Sequence, residues 1–161
     1  MHNRAQAIIE IKDFLQSDER CMLLTGTHQY EKHKLIMRIL NEELANHLIL
    51  FRTNSMQNII EREFIGWTGL KKNLKAGERI KIGKNLYECD SFNTSSTWYK
   101  GSNKFSCAIV YPIDYICKSQ KFQSIDNLFE HKNISKIFLV SWTDNRLYDY
   151  SILSKYFNRH V

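Results

Sequence analysis

Gly26, Lys32 and His33 stand in the stretch CMLLTGTHQYEKHKLIMRIL, where an apolar run gives way to a polar loop and then to an amphipathic segment. A glycine opening such a loop frees the backbone to turn, and a lysine follows six positions on, at the start of the amphipathic segment. Asp114 closes a second apolar run, Cys107-Ala108-Ile109-Val110-Tyr111-Pro112-Ile113. A third group is basic and aromatic: Lys71, Lys72, Lys75, Lys81 and Lys84, followed by Trp98 and Tyr99. Such ammonium groups neutralise phosphates, and such rings stack on bases. Eight basic and three acidic side chains lie between Gly66 and Lys104, so +5 of the chain's net +6 falls in a quarter of its length.

The first of these stretches resembles the Walker A region of the P-loop NTPase superfamily, with its AAA+ and RecA-like core, in which a buried strand runs into G-x-x-x-x-G-K-[ST] and then a helix. On that resemblance Gly26 takes the first glycine position, Lys32 the lysine and His33 the Ser/Thr. Glu31 falls where the second glycine belongs and puts a carboxylate beside the phosphates. His33 offers imidazole where magnesium takes a hard oxygen. Both departures act against Mg-ATP, so the resemblance implies ATP and magnesium bound weakly or not at all. The run ending at Asp114 is similar to the family's Walker B strand, with Asp114 as the magnesium acid. Tyr115 follows in place of a water-activating glutamate. Thr143 or Asn145, after a later apolar run, stands where the family has a polar sensor. Each feature has a plainer reading: a glycine ending a strand, an exposed lysine in a first helical turn, an aspartate capping a turn, a polar loop.

The elements that must position these residues read as an α/β domain with a mainly parallel central sheet flanked by helices. Ala5, Ile8, Ile9, Ile11, Phe14 and Leu15 recur at helical spacing. Cys21-Met22-Leu23-Leu24 is continuously apolar, as in a strand buried on both faces and placed centrally. Leu35, Ile36, Ile39, Leu40 and Leu44 mark a second helix, residues 47–51 a second strand, and residues 56–64 a short helix capped by Asn54 or Ser55. The rhythm then breaks at residues 66–104, where GERIKIGKNLYECDSF alternates as a hairpin turning at Gly83-Lys84-Asn85. This reads as an inserted basic excursion, with Tyr87 and Phe92 suited to its inward face. A strand at 106–112, a helix through Ile125, Leu128 and Phe129, a strand at 137–140 and a last helix at 148–157 complete the pattern. The usual further edge strand is not evident, which suggests a fragment of a longer protein.

At 161 residues, 43% hydrophobic and 25% charged, with six Gly and one Pro, the chain fits one folded domain. Cys21, Cys89, Cys107 and Cys117 form no close pair and read as reduced packing residues; a zinc site would need Cys89 or Cys107 with a distant His. No stretch has the length and apolarity of a membrane span or a signal peptide, so the expectation is a cytoplasmic protein without a membrane partner. Two functional classes follow. One is a degenerate P-loop-like module with weak or absent ATP hydrolysis, regulatory or recognitional, working beside nucleic acid or within a larger ATPase-type or protein assembly. The other is an adaptor that retains only the fold. A nuclease reading has the Glu78 to Lys81 spacing in its favour, but no acidic pair in the strand context that such chemistry needs.

Overall fold

The computed structural model describes residues 3–26, 31–142 and 149–161. Its centre is a sheet of seven strands: β1 (Cys21–Leu24), β2 (Leu48–Thr53), β3 (Arg79–Ile82), β4 (Asn85–Ser91), β5 (Lys104–Val110), β6 (Asn133–Val140) and β7 (Arg159–His160). The order across the sheet is β3-β4-β2-β5-β6-β1-β7, and only the β3/β4 pairing is antiparallel. Parallel strands joined through helices bury both faces. The sequence shows it: β1, and β6 from Ile137 to Val140, are apolar without alternation and fully buried.

Helices α1 (Arg4–Gln16) and α2 (Lys32–Glu43) cover one face, α3 (Asp114–Ser119) and α4 (Gln123–Glu130) the other. Asn3 starts α1 by accepting the Gln6 N–H at 2.9 Å. Ile11 and Phe14 of α1, with Ile36 and Leu40 of α2, pack on Met22, Ile49, Phe51, Ile109 and Phe138. Ile125 and Leu128 of α4 pack on Leu23, Leu50, Ala108, Val110 and Leu139 from the other side. All four cysteines are free and buried among these apolar groups, and burial pushes the thiols up, Cys107 to about 12.

Three expectations need correction. Residues 56–64 form no α-helix: a 3-10 turn, Met56–Asn58, is followed by tight turns that bury Ile59 and Ile65. Near the end, the helix expected at 148–157 is a 3-10 turn at Tyr150–Leu153, capped by Asp149, beyond which β7 supplies an edge strand beside β1. The basic hairpin does turn at Gly83, whose φ of +58° is a left-handed conformation and whose missing Cβ leaves room for the Asn41 side chain that accepts the Lys84 N–H at 2.7 Å. It is not an excursion, however. β4 pairs with β2 along the whole of Leu48–Thr53, and Tyr87, Cys89 and Phe92 are core residues. The charged alternation belongs to β3, the edge strand, where exposed Arg79 and Lys81 deter pairing with another chain.

Candidate functional site

The register places the carboxyl ends of β1, β6 and β5 side by side: Leu24 pairs with Val140, and Leu139 with Val110. Gly26, Trp142 and Tyr111 therefore lie along one edge, where open α/β sheets bind their ligands. Gly26 has φ +141°, open to glycine and strained for other residues. Residues 27–30 lie outside the described residues, and α2 begins at Lys32 after Glu31, which gives no side-chain cap. Glu31 is exposed and faces the Lys34 ammonium at 3.6 Å. Lys32 is buried, and its Nζ donates to the carbonyls of Gly26 at 2.8 Å and Trp142 at 3.2 Å. The side chain thus folds back across the start of the loop.

His33 is fully buried beneath it. Its ring stacks on Tyr111, with centroids 4.1 Å apart, and its Nε2 lies 2.6 Å from the Phe64 carbonyl. A carbonyl only accepts, so Nε2 carries the hydrogen and Nδ1 is a bare lone pair, buried without a partner among the described residues. Burial pushes the imidazole down to about 3, outweighing the opposing Phe64 bond, so the ring is neutral. Phe51 and Phe64 complete an aromatic cluster around the pair.

Asp114 begins α3 and is also buried. Its Oδ2 accepts the Trp142 N–H at 3.0 Å and its Oδ1 the Tyr150 hydroxyl at 2.8 Å. Burial and the adjacent carboxylate push the Tyr150 phenol up, which keeps it a donor. Asp114 therefore ties β6 to the segment after residue 148. The sensor candidates Thr143 and Asn145 lie outside the described residues.

The basic group divides. Lys71, Lys72, Lys75, Lys81 and Lys84 are exposed, with Lys72 facing Glu78 at 3.4 Å, and Tyr99 is 70% exposed. Trp98 is not an exposed stacking platform. It is buried, donates its indole N–H to the Ser91 carbonyl at 2.7 Å, and lies under the Arg52 guanidinium. Ser95–Tyr99 is a 3-10 turn folded back onto β4, and that return buries the indole.

Arg52 leads to a centre that the pattern did not signal. Fully buried, it forms a bidentate pair with Asp90, both contacts 2.8 Å, and donates to the Ser124 carbonyl at 2.7 Å and to Asn127 Oδ1 at 3.0 Å. Nearby Lys132 is buried against the Trp98 and Ser102 carbonyls. An arginine inside the apolar strand LILFRT was the available cue.

Comparison with family models gives no match, and neither does comparison with curated proteins. Among solved structures the fold resembles the large terminase of a thermophilic bacteriophage. The TM-score is 0.61 at 8% identity, over 96% of this chain and 44% of the terminase chain. At that identity the likeness establishes the α/β fold, and this chain spans less than half of the terminase's length.

Proposed function

We propose that the chain is a P-loop-like module whose ATP chemistry is weak or absent and which acts as a regulatory or recognition part beside nucleic acid. The observation that carries the reading is the His33–Tyr111 stack. In the P-loop pattern the residue after the lysine presents a hydroxyl to magnesium. Here that position holds a neutral imidazole locked by a carbonyl on one nitrogen and packed on a phenol ring, with a soft lone pair as its spare ligand. Magnesium takes oxygens in near-octahedral array, and the Asp114 oxygens already accept from Trp142 and Tyr150. These residues do not fit Mg-ATP. What remains suits an anion: Gly26, a helix N-terminus without a side-chain cap, and Lys32 resting on carbonyl dipoles that a phosphate can displace.

The likeness to a phage terminase supports this reading at the level of fold, and the exposed lysines from Lys71 to Lys84 support a polyanionic partner. Tyr115 and Ile152, 51% and 37% exposed on elements that touch each other, favour a protein partner as the second reading. A titration with a fluorescent ATP analogue separates the two. The module binds it weakly and equally with and without magnesium. Replacing Glu31→Gly together with His33→Thr strengthens binding and makes it magnesium-dependent. Hydrolysis by the unaltered protein at about 1 per second or faster overturns the reading.

A further inference from the structure

At the opposite end of the strands the amino termini of β2, β5 and β6 enclose a cleft of about 270 Å³. Its walls are Leu48 and Phe105, and its polar groups come from Asn46, His47, Lys104, Ser106, Asn133 and Ser135. We propose that this cleft is a binding site for a phosphate group, held by the Lys104 ammonium, the His47–Ser106 pair and the Asn133 and Ser135 side chains.

The sheet is built irregularly at this point. The β5/β6 register runs through Phe105 with Ile134 and resumes at Cys107 with Lys136, and over that step the side chains change face. Phe105 and Ile134 pack under α3 and α4, whereas Cys107 packs under α1 and α2. A regular strand returns to the same face every second residue, so the pleat is interrupted at Ser106 and Ser135. The interruption falls at Ser106 and Ser135, which both line the cleft. Asn46, on the rim, has φ +63°, a left-handed conformation unusual outside glycine, and its N–H donates to the Lys84 carbonyl at 2.8 Å.

The chemistry is one-sided. No carboxylate lines the cleft, and Lys104 makes no ion pair among the described residues. His47 Nδ1 lies 2.6 Å from Ser106 Oγ. If the serine hydroxyl donates, Nε2 carries the imidazole hydrogen; if Nδ1–H donates, the serine O–H is free to donate elsewhere. Either tautomer leaves the pair one donor for a ligand oxygen. An ammonium, this donor, the Asn133 carboxamide and the Ser135 hydroxyl, with the Asn46 carboxamide on the rim, match a tetrahedral oxyanion. The volume takes that group with part of its ester. The source is either free phosphate or a phosphodiester in a nucleic-acid backbone, and the exposed Lys84 beside Asn46 would serve the second by meeting a neighbouring phosphate. The site lies far along the strands from Gly26 and Lys32, so it stands whether or not a nucleotide binds there.

The test is a titration of the ¹⁵N-labelled protein with inorganic phosphate, using sodium chloride of equal ionic strength as control and an oligothymidylate in a parallel arm. Phosphate is expected to move the amides of Asn46, His47, Ser106, Asn133 and Ser135 saturably, in the millimolar range. Lys104→Ala and Ser106→Ala each weaken this about tenfold, the loss of one charge-assisted contact. Lys104→Arg retains it, which keeps the result interpretable should Ser106→Ala fold poorly. An oligonucleotide source shows as the same amides moving at lower concentration, in competition with phosphate and with sensitivity to Lys84→Ala; a free-phosphate source leaves Lys84→Ala without effect. Shifts matched by sodium chloride, no saturable shift, or binding unchanged in both Lys104→Ala and Ser106→Ala overturn the proposal. Failure of ATP binding at Lys32 changes none of these outcomes.

Discussion

Arg52 and Lys32 are both buried toward the carboxyl ends of the strands, on opposite faces of the sheet, and they are held in opposite ways. Arg52 has a carboxylate in bidentate contact, two further acceptors and an indole face against it. Its charge is met by an opposite charge, and its planar fork is matched on each side. Such a centre is closed and offers a ligand nothing. Lys32 rests on the carbonyls of Gly26 and Trp142, in the first turn of a helix whose dipole disfavours a cation there. On the proposed reading an anion arriving there would complement that cation. A buried charge in bidentate contact with a carboxylate serves the architecture; on the reading proposed above, a lysine whose ammonium rests on carbonyls at the carboxyl edge of the sheet is placed to meet an anion.

The largest effect expected from this contrast is at Arg52. Arg52→Met leaves the Asp90 carboxylate buried and uncompensated, which costs about 3–5 kcal/mol in urea unfolding. The double variant Arg52→Met with Asp90→Leu recovers most of that loss, because two apolar groups replace two desolvated charges. A single variant losing under about 1 kcal/mol would place Arg52 among ordinary surface pairs and dissolve the comparison.

His33 gives the next effect, and its sign follows from its depressed value. Folded, the imidazole titrates at about 3, against an ordinary 6.5. Between those values the unfolded chain holds a proton that the folded chain excludes, so stability rises with pH across the window. The contribution is complete above the ordinary value and is lost as pH falls, by about 1.4 kcal/mol per unit, or about 2 kcal/mol between pH 6.5 and 5. His33→Phe keeps a ring against Tyr111 and should flatten the urea midpoint over that range. A wild-type midpoint that does not move between pH 6.5 and 5 would show the imidazole to be accessible, and the closed reading of the magnesium position would fall with it.

Much of the sheet was legible because parallel strands are continuous apolar runs: β1, β2, β5 and β6 were all readable as such. What escaped depends on contacts remote in sequence. Met56–Phe64 has helical spacing, yet its apolar residues are claimed by the core one turn at a time. β4 carries Glu88 and Asp90, whose partners Arg79 and Arg52 come from other strands and are not marked by any local pattern. Trp98 looked like a free ring for the same reason, since its cover, Arg52, is 46 positions away. At the candidate site, Gly26, Lys32 and His33 were singled out by the resemblance of their stretch to a Walker A region, and the structure sets the Lys32 ammonium on the Gly26 carbonyl. Tyr111 was not legible, because stacking on His33 joins two residues 78 apart that no local pattern connects.

Lys32→Met is expected to have the smallest effect on stability, and it is the sharpest use of the comparison. Methionine has the length to keep the packing of the aliphatic stem, and Gly26 and Trp142 are half-buried residues at the edge of the sheet, where water is expected to replace the ammonium at the two carbonyls. Exchanging hydrogen bonds with water in this way is worth about 0.5–1.5 kcal/mol in net stability, well under the Arg52 effect. Relief of a cation at the helix N-terminus offsets part of it. The unfolding midpoint should therefore move little while binding of the fluorescent ATP analogue is lost. A stability loss of about 3 kcal/mol or more would make Lys32 an architectural cation like Arg52. Unchanged analogue binding in a stable variant would move the anion away from the α2 terminus. Both results separate stability from ligand binding at a single side chain, and the same measurement on Arg52→Met supplies the contrast.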